Sequence, residues 1–176
     1  MVSDEALFDA LLKGEGRAFD QLYERYERPL FGFLVRHVGD AHEAEDVLHE
    51  AFLAVLKEGK GGRPKVSFRA WLFQVARNVC LNRARTTSRA GRAAEQVAQL
   101  APDADAGPES AVEAKQAAVA LRAALARLPA ALSELYELRA GGLSYDEAAH
   151  VLAVPVGTVK SRMHELVRRL REEMAR

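Results

Sequence analysis

Apolar residues in the first half of the chain recur every three or four residues, which is the spacing of one face of an α-helix. Residues 19–34 follow this pattern with Pro29 inside it, and residues 44–56 follow it more regularly. Asp40 and Glu43 precede the second segment in the order of an N-terminal capping pattern. The pattern therefore predicts two long helices, the second of which begins at Asp40.

A loop over residues 59–66 follows, and its three glycines and one proline do not continue a helix. Ser67 is a suitable N-cap for a third helix that runs through Trp71 to about Arg85. No segment has the alternation of two that is typical of a strand. The N-terminal half is thus predicted to be a bundle of about four helices, and the chain to be all-α.

Residues 86–113 contain no aromatic side chain and are rich in alanine, glycine, proline and acids, which is the composition of a flexible acidic linker. Helical patterns resume over residues 112–128, 129–141, 144–152 and 156–173. Pro129 suits the first turn of one of these helices, and Ser144 is the predicted N-cap of another. The second half is therefore expected to be helical as well.

The last two predicted helices have the spacing of a helix-turn-helix, for which Ala149 suits the crossing, Ala153 the turn and Val159 the packing of the second helix. The predicted buried stripe of the second helix is Val156, Val159, Met163, Leu166 and Leu170. The opposite face contains Thr158, Ser161, Arg162, Glu165, Arg168 and Arg169, with Lys160 at its flank. Such a face suits base edges and phosphates in a major groove, and an ordinary helical hairpin with a basic solvent face is the alternative.

The chain has 176 residues with 25 basic and 25 acidic side chains, but the two signs are unevenly distributed. Residues 59–94 contain nine Lys or Arg and no acid, whereas residues 1–58 contain six basic and thirteen acidic residues. A long basic segment indicates either a polyanion partner such as nucleic acid or a solvated basic surface.

Within the basic segment, one side of the predicted helix carries Gln74, Asn78, Asn82 and Arg85, beside Trp71. Amides and a guanidinium next to an aromatic ring suit contact with unpaired bases, and plain surface amides are the alternative. The glycine-rich loop before this helix lacks the residue order of a phosphate-binding P-loop. It is interpreted as a flexible basic loop that could enclose a flipped base.

Cys80 is the only cysteine, so no disulfide can form within the chain, and a reducing cytoplasm is the expected location. Residues 1–5 include Asp4 and Glu5 and no basic residue, unlike a secretory signal, and the longest apolar stretch is far shorter than a membrane span. Neither secretion nor membrane insertion is expected.

The sequence contains no nucleophile elbow, Walker motif or zinc signature. His42, Asp46 and His49 share one helix face, and Asp46 with His49 has the spacing of one half of a di-metal site, but no second helix supplies the other half. No enzyme activity, cofactor, metal or small-molecule substrate is therefore predicted.

Two blocks of sequence carry a family resemblance. The first half contains AFDQLYERYERPLFGFL, EAEDVLHEAFLAVL and FRAWLFQVARNVCLNRAR, and the second contains ALARLPAALSELYELRAGGLSYDEAAHVLAVPVGTVKSRMHEL. Together they resemble an extracytoplasmic-function (ECF) sigma factor, a compact member of the primary sigma family of bacterial transcription initiation factors. The resemblance implies a four-helix domain at residues 1–88, a flexible linker at 89–112 and a helix-turn-helix domain at 113–176.

The resemblance also implies roles for individual residues. The surface that docks on core RNA polymerase corresponds to Glu45, Asp46, His49, Glu50 and Phe52. The residues that bind single-stranded minus-ten DNA correspond to Lys60, Arg63, Lys65, Trp71, Gln74, Arg77, Asn78, Asn82, Arg83 and Arg85. The residues that bind the duplex minus-thirty-five element correspond to Thr158, Lys160, Ser161, Arg162 and Arg168.

The chain departs from the family pattern at several positions. His49 stands where the family usually has Gln, Asn82 where it commonly has Asp, and Ala153 where it has a turn glycine. Ala148 replaces a larger aliphatic residue, and Pro155 replaces a serine.

The function implied by the resemblance is that of a factor that binds core RNA polymerase, directs it to promoters and helps to melt the minus-ten region. An anti-sigma factor is the expected regulator. Two alternatives are a stand-alone helix-turn-helix regulator of transcription and a sigma-like adaptor that sequesters an anti-sigma factor.

Overall fold

The computed structural model describes residues 2–61, 65–89 and 110–175. These residues contain no strand and form the helices α1 (Asp4–Leu12), α2 (Gly16–Val38), α3 (Ala41–Gly59), α4 (Phe68–Arg89), α5 (Ser110–Ala126), α6 (Ala130–Ala140), α7 (Tyr145–Leu152) and α8 (Val156–Met174). The all-α prediction is confirmed. We call α1–α4 the N-terminal half and α5–α8 the C-terminal half. Arg63 and residues 90–109, which include most of the predicted linker, lie outside the described residues.

Three predicted helix starts are confirmed by hydrogen bonds from a backbone N–H three residues further on to the capping side chain. Asp40 Oδ1 accepts such a bond at 2.8 Å, and Ser67 Oγ accepts one at 3.1 Å. Ser144 and Glu147 form a reciprocal capping box at the start of α7. Local sequence thus determines where these helices begin.

Helix α1 is an element that the hydrophobic spacing did not single out. It has nine residues, is capped by Ser3, and buries Leu7 and Phe8. The Phe8 ring packs edge-on against Trp71 with the ring centroids 5.3 Å apart. Helix α1 therefore closes one side of the N-terminal core.

One hydrophobic core extends through both halves of the molecule. Phe33 of α2 and Phe73 of α4 are fully buried and belong to the same cluster as Leu135 and Leu138 of α6. Helices α2 and α6 are in contact, as are α4 and α7. The two halves therefore pack directly against each other, a contact that was not predicted from the sequence.

The helix-turn-helix geometry of α7 and α8 follows the predicted spacing. Ala149 and Val159 are buried, and Ala153 in the turn has a positive φ of 54°, a conformation in which glycine is the usual residue. Of the predicted buried stripe, Val159 and Leu166 are buried, Met163 and Leu170 are half-buried, and Val156 is wrongly placed because it is 36% exposed. Val156 is the first residue of α8, at the N-terminal end of the helix.

None of the described helices is long and apolar enough to cross a membrane. Within the described ranges, no group of three or more His, Cys, Asp or Glu side chains is arranged to hold a metal ion. Cys80 is buried, and this burial raises the pKa of its thiol to about 12, so the thiolate form is disfavoured.

Candidate polymerase and nucleic-acid interface

The outward face of α3 carries the predicted docking residues because the apolar residues of its helical repeat turn inward. Glu45, Asp46, His49 and Glu50 are all exposed and lie within two turns of the helix. Tyr23 of α2 borders them, with its hydroxyl oxygen 3.5 Å from His49 Nε2 and its ring nearly parallel to the imidazole. The structure therefore brings four of the five predicted docking residues onto one accessible acidic surface, which we call the acidic face.

Phe52 differs from the other predicted docking residues, because it is only 4% exposed. Its ring packs against Phe19 and Tyr23, with ring centroids 5.8 and 5.1 Å away. We correct its assignment: in this structure Phe52 supports the acidic face from below and does not lie on its surface.

Leu53 is a surface residue that the sequence argument missed. It is 66% exposed and lies four residues after His49, so it continues the acidic face with an apolar side chain. The signal was present in the sequence, because Leu53 falls outside the apolar repeat of α3.

The predicted minus-ten residues cluster on and before α4. Asn78, Asn82 and Arg85 are exposed along α4, and Lys60 and Lys65 are exposed before it. Arg63 lies outside the described residues. We call the side of α4 that carries Gln74, Arg77, Asn78, Asn82 and Arg85 the amide–guanidinium face.

Trp71 does not lie on this face. The indole is 9% exposed and packs edge-on against the rings of Phe8 and Phe68. An unpaired base cannot stack on an indole that is only 9% exposed. We therefore correct its assignment from a stacking platform to a core residue, since the sequence did not reveal that α1 would cover it.

Arg83 links the two predicted surfaces. Its Nη2 lies 2.7 Å from Glu50 Oε2 of α3, and its Nε also donates to that oxygen at 3.2 Å. One residue of the predicted DNA-binding set thus forms an ion pair with one residue of the acidic face, and helix α4 lies directly beside α3.

The first part of the amide–guanidinium face contacts the C-terminal half. Arg77 Nε donates to Glu134 Oε1 of α6 at 2.6 Å, and Gln74 Oε1 lies 3.0 Å from His150 Nε2 of α7. Asn78, Asn82 and Arg85 remain exposed further along α4. The division of this face into a covered part and an exposed part was not predicted from the sequence.

The predicted minus-thirty-five residues lie at the start of α8, with Lys160 and Ser161 exposed and Thr158 and Arg162 half-buried. Arg168 is two turns further on and is held by Glu165 at 2.8 Å and Glu172 at 2.7 Å. These ion pairs engage the Arg168 guanidinium within its own helix. The four residues near the N-terminus of α8 are therefore more accessible to DNA than Arg168 is.

Comparisons with known proteins agree with this arrangement. The family model described as Sigma-70 region 2 matches residues 22–90, and Sigma-70, region 4 matches residues 118–170. The chain is 31% identical to the RNA polymerase sigma-H factor of Pseudomonas aeruginosa, over 91% of this chain and 88% of that protein. It is 30% identical to the ECF RNA polymerase sigma factor SigE of Mycolicibacterium smegmatis, over 97% and 67% of the respective chains.

Solved structures with the same overall arrangement include CnrH in complex with the cytosolic domain of CnrY, with a TM-score of 0.68, 25% identity and coverage of 98% of this chain and 97% of that one. The sigma factor RpoE of Bartonella quintana, in complex with the anti-sigma factor NepR, has the same fold with a TM-score of 0.69, 24% identity and coverage of 89% and 96%.

The matched family models describe regions of sigma-70 factors, so the wider group is named after sigma-70 and not as the primary sigma family. Both regions occur here in the expected order, and relatives at 30% identity or more are matched over at least two thirds of their length. The chain belongs to the ECF sigma factors, which are initiation factors that direct transcription by bacterial RNA polymerase.

Proposed function

We propose that this chain docks on core RNA polymerase through the acidic face of α3, recognises a two-part promoter and helps to open the minus-ten region. The observation that carries the proposal is the Glu50–Arg83 ion pair, which joins the acidic face directly to α4, the helix that carries most of the predicted minus-ten residues. A factor with this arrangement holds single-stranded DNA next to the place where it binds polymerase. RNA synthesis itself remains with the polymerase, and the chain acts without a cofactor or small-molecule substrate.

The acidic face suits a basic helical partner, such as the coiled coil of the polymerase largest subunit. Asp46 and Glu45 supply exposed negative charge, and complementary charge across an interface raises the rate and specificity of association. Leu53 extends this face with an exposed apolar side chain, which a partner can cover and so remove from water.

The amide–guanidinium face is proposed to hold the unpaired minus-ten strand. Asn78 and Asn82 supply hydrogen-bond donors and acceptors for base edges, and Arg85 supplies positive charge for the backbone. Lys60, Arg63 and Lys65 are proposed to attract the same strand from the preceding loop. Residues 1–88 are thus the proposed region 2 domain, and residues 89–112 the proposed linker.

The proposed duplex-binding element is the start of α8 within the region 4 domain, residues 113–176. Arg162 and Lys160 supply cationic groups, and Thr158 and Ser161 supply hydroxyls, for the major groove of the minus-thirty-five element.

An anti-sigma factor is the proposed regulator of this chain. Support comes from the sigma factor RpoE of Bartonella quintana, which was solved with the anti-sigma factor NepR, because this chain shares its fold. The proposed location is the cytoplasm, where core polymerase and promoter DNA are found.

Multi-round transcription from a genomic promoter library tests the proposed function. Purified bacterial core polymerase is assayed alone, with this chain, with Arg162→Glu, and with Arg122→Glu, which reverses an exposed charge on α5. We expect discrete new start sites with the wild type and with Arg122→Glu, and their loss with Arg162→Glu. The proposal is overturned if active core and folded chain give no new start sites, or if Arg162→Glu retains them all.

A gel-shift measurement and the Arg162→Glu variant separate the two alternatives. A stand-alone regulator binds duplex DNA without core polymerase, which a gel-shift measurement with promoter fragments detects. A sequestering adaptor is insensitive to Arg162→Glu, because its activity does not involve DNA.

A further inference from the structure

Four polar contacts join the C-terminal half to α4 and its N-cap. Two of them engage side chains of the amide–guanidinium face, namely Arg77 with Glu134 and Gln74 with His150. Two more lie at the start of the helix: Ser67 donates to Glu147, and Arg69 Nη1 donates to the Gly142 carbonyl oxygen at 2.8 Å. The contacts extend over three turns of α4, so the C-terminal half lies along this helix and does not touch it at one point only.

Glu134 is the centre of the contact. Its Oε1 accepts a hydrogen bond from Arg77 Nε at 2.6 Å and lies 3.1 Å from His37 Nε2, and its side chain is 17% exposed. Burial alone would raise the pKa of this carboxyl, but the hydrogen bonds from His37 and Arg77 lower it to about 2. Glu134 is therefore a carboxylate anion held against a guanidinium of the predicted DNA-binding face.

Glu147 of α7 is a second carboxylate that contacts α4, at the N-cap of that helix. Its carboxylate accepts from the Ser67 hydroxyl, which also caps α4, and from the Ser144 backbone N–H at 2.7 Å. Burial raises the pKa of Glu147, but the hydrogen bonds from Ser67 and Ser144 outweigh burial and lower it. A second anion is thus held at the N-terminus of α4, where the helix dipole favours negative charge.

The backbone of the C-terminal half also fits closely against α4. A Cβ atom built on Gly141, in the turn after α6, would lie 2.8 Å from Cζ of the buried Phe73. A side chain at this position would force the fully buried Phe73 ring to shift, so glycine allows the close approach. The contact is therefore a specifically shaped interface with apolar and ionic parts.

We propose that this packing is a closed state of the free factor, in which Glu134 occupies on Arg77 the position that a DNA phosphate takes in the promoter complex. A carboxylate and a phosphate satisfy a guanidinium in the same way, with anionic oxygens at hydrogen-bond distance. Glu147 contacts Ser67 at the start of α4, and His150 contacts Gln74. The C-terminal half thus screens the first part of the amide–guanidinium face until the two halves separate.

This inference rests on the proposed role of the amide–guanidinium face and adds an intramolecular competitor for it. Binding of a DNA phosphate to Arg77 and the contact of Arg77 with Glu134 exclude each other. The apparent affinity of the free chain for DNA is then reduced in proportion to the fraction of open molecules. Variants that weaken the closed state are expected to bind single-stranded DNA more tightly, although no residue of the predicted DNA-binding set has changed.

The test uses the full chain with dyes attached at Lys13→Cys and Ala123→Cys, two exposed positions in different halves. Glu134→Gln removes the central charge, and Gly141→Ala introduces a methyl group that meets Phe73 without changing any charge. Asp146→Asn is the matched control, because it removes an exposed charge from the first turn of α7, beside Glu147. Energy transfer between the dyes measures the distance between the halves.

We expect Glu134→Gln and Gly141→Ala each to lower energy transfer, and to strengthen binding of a 20-nucleotide single-stranded DNA of mixed sequence by about 5- to 10-fold. Asp146→Asn should leave energy transfer unchanged and alter binding by less than about 2-fold. Circular dichroism confirms that each variant is folded.

The closed state is overturned if energy transfer in both variants equals that of the wild type. Screening is overturned if energy transfer falls but DNA affinity does not rise beyond that of Asp146→Asn. Either result leaves the proposed function intact wherever the wild type still yields new transcription starts, so the two failures are distinguishable.

Discussion

The outward faces of α3 and α4 were both predicted from helical periodicity, yet they differ in how far they are exposed. The acidic face of α3 is exposed at Glu45, Asp46, His49 and Glu50, whereas the face of α4 is engaged by the C-terminal half at Gln74 and Arg77. The proposed polymerase-binding surface is therefore accessible in the free chain, while the proposed strand-binding surface is only partly so. The difference favours an order of events in which docking on polymerase precedes full exposure of α4.

The two helices also share a feature. Each contributes one aromatic residue, Phe52 or Trp71, that was predicted to lie at a binding surface and is in fact buried. Large aromatic side chains near a binding face commonly shape that face through the core, because they bury more apolar area than any other residue.

The largest expected effect is that of Trp71→Ala. Removing a buried indole leaves a cavity among Phe8 and Phe68, and it should lower the free energy of unfolding by about 3–5 kcal/mol. Urea denaturation measures this loss. Asn78→Ala, on the exposed side of the same helix, should change stability by less than about 0.5 kcal/mol. A stable Trp71→Ala variant with weakened single-stranded DNA binding would instead restore the stacking role.

A smaller effect concerns pH and the contact between α6 and α2. Glu137 is buried, and this burial raises its pKa to about 7 from 4.5, although Arg36 and His37 act in the opposite direction. Arg36 Nε is 2.8 Å from Glu137 Oε1 but is not aligned as a hydrogen bond, so that oxygen has no hydrogen-bond donor. The protonated form is thus preferred in the folded chain below about pH 7.

Because the folded pKa lies above the unfolded value, the contribution of Glu137 to stability is fully present below about pH 4.5 and is lost as pH rises to about 7. The loss amounts to at most about 3 kcal/mol. Glu137→Gln should flatten the pH dependence of unfolding between pH 5 and 7, as measured by urea denaturation at several pH values. Identical pH profiles for the variant and the wild type would contradict this assignment.

The smallest expected change in free energy is at the acidic face. Asp46→Lys reverses an exposed charge and should weaken binding to core polymerase by about 10- to 100-fold, with unfolding unaffected. Binding is measured by fluorescence anisotropy of the labelled chain. Glu24→Lys, at an exposed position of α2, is the control and should bind like the wild type. Equal weakening by both variants would mean that overall charge, and not the acidic face, determines docking.

Local features of the chain were predicted well because they depend on neighbours in sequence. The caps at Asp40, Ser67 and Ser144 follow from a polar side chain and a backbone N–H three residues away. The exposure of Asp46 and Asn78 follows from the period of the helix. These features need no knowledge of what packs against each helix.

The sequence by itself therefore determined the all-α class, most helix starts and the identity of the polar faces. Tertiary structure alone decided that α1 would cover Trp71 and that Glu134, 57 residues after Arg77, would bind it. The physical reason is that helical periodicity specifies which residues share a face, whereas the burial of a face depends on which distant element packs against it.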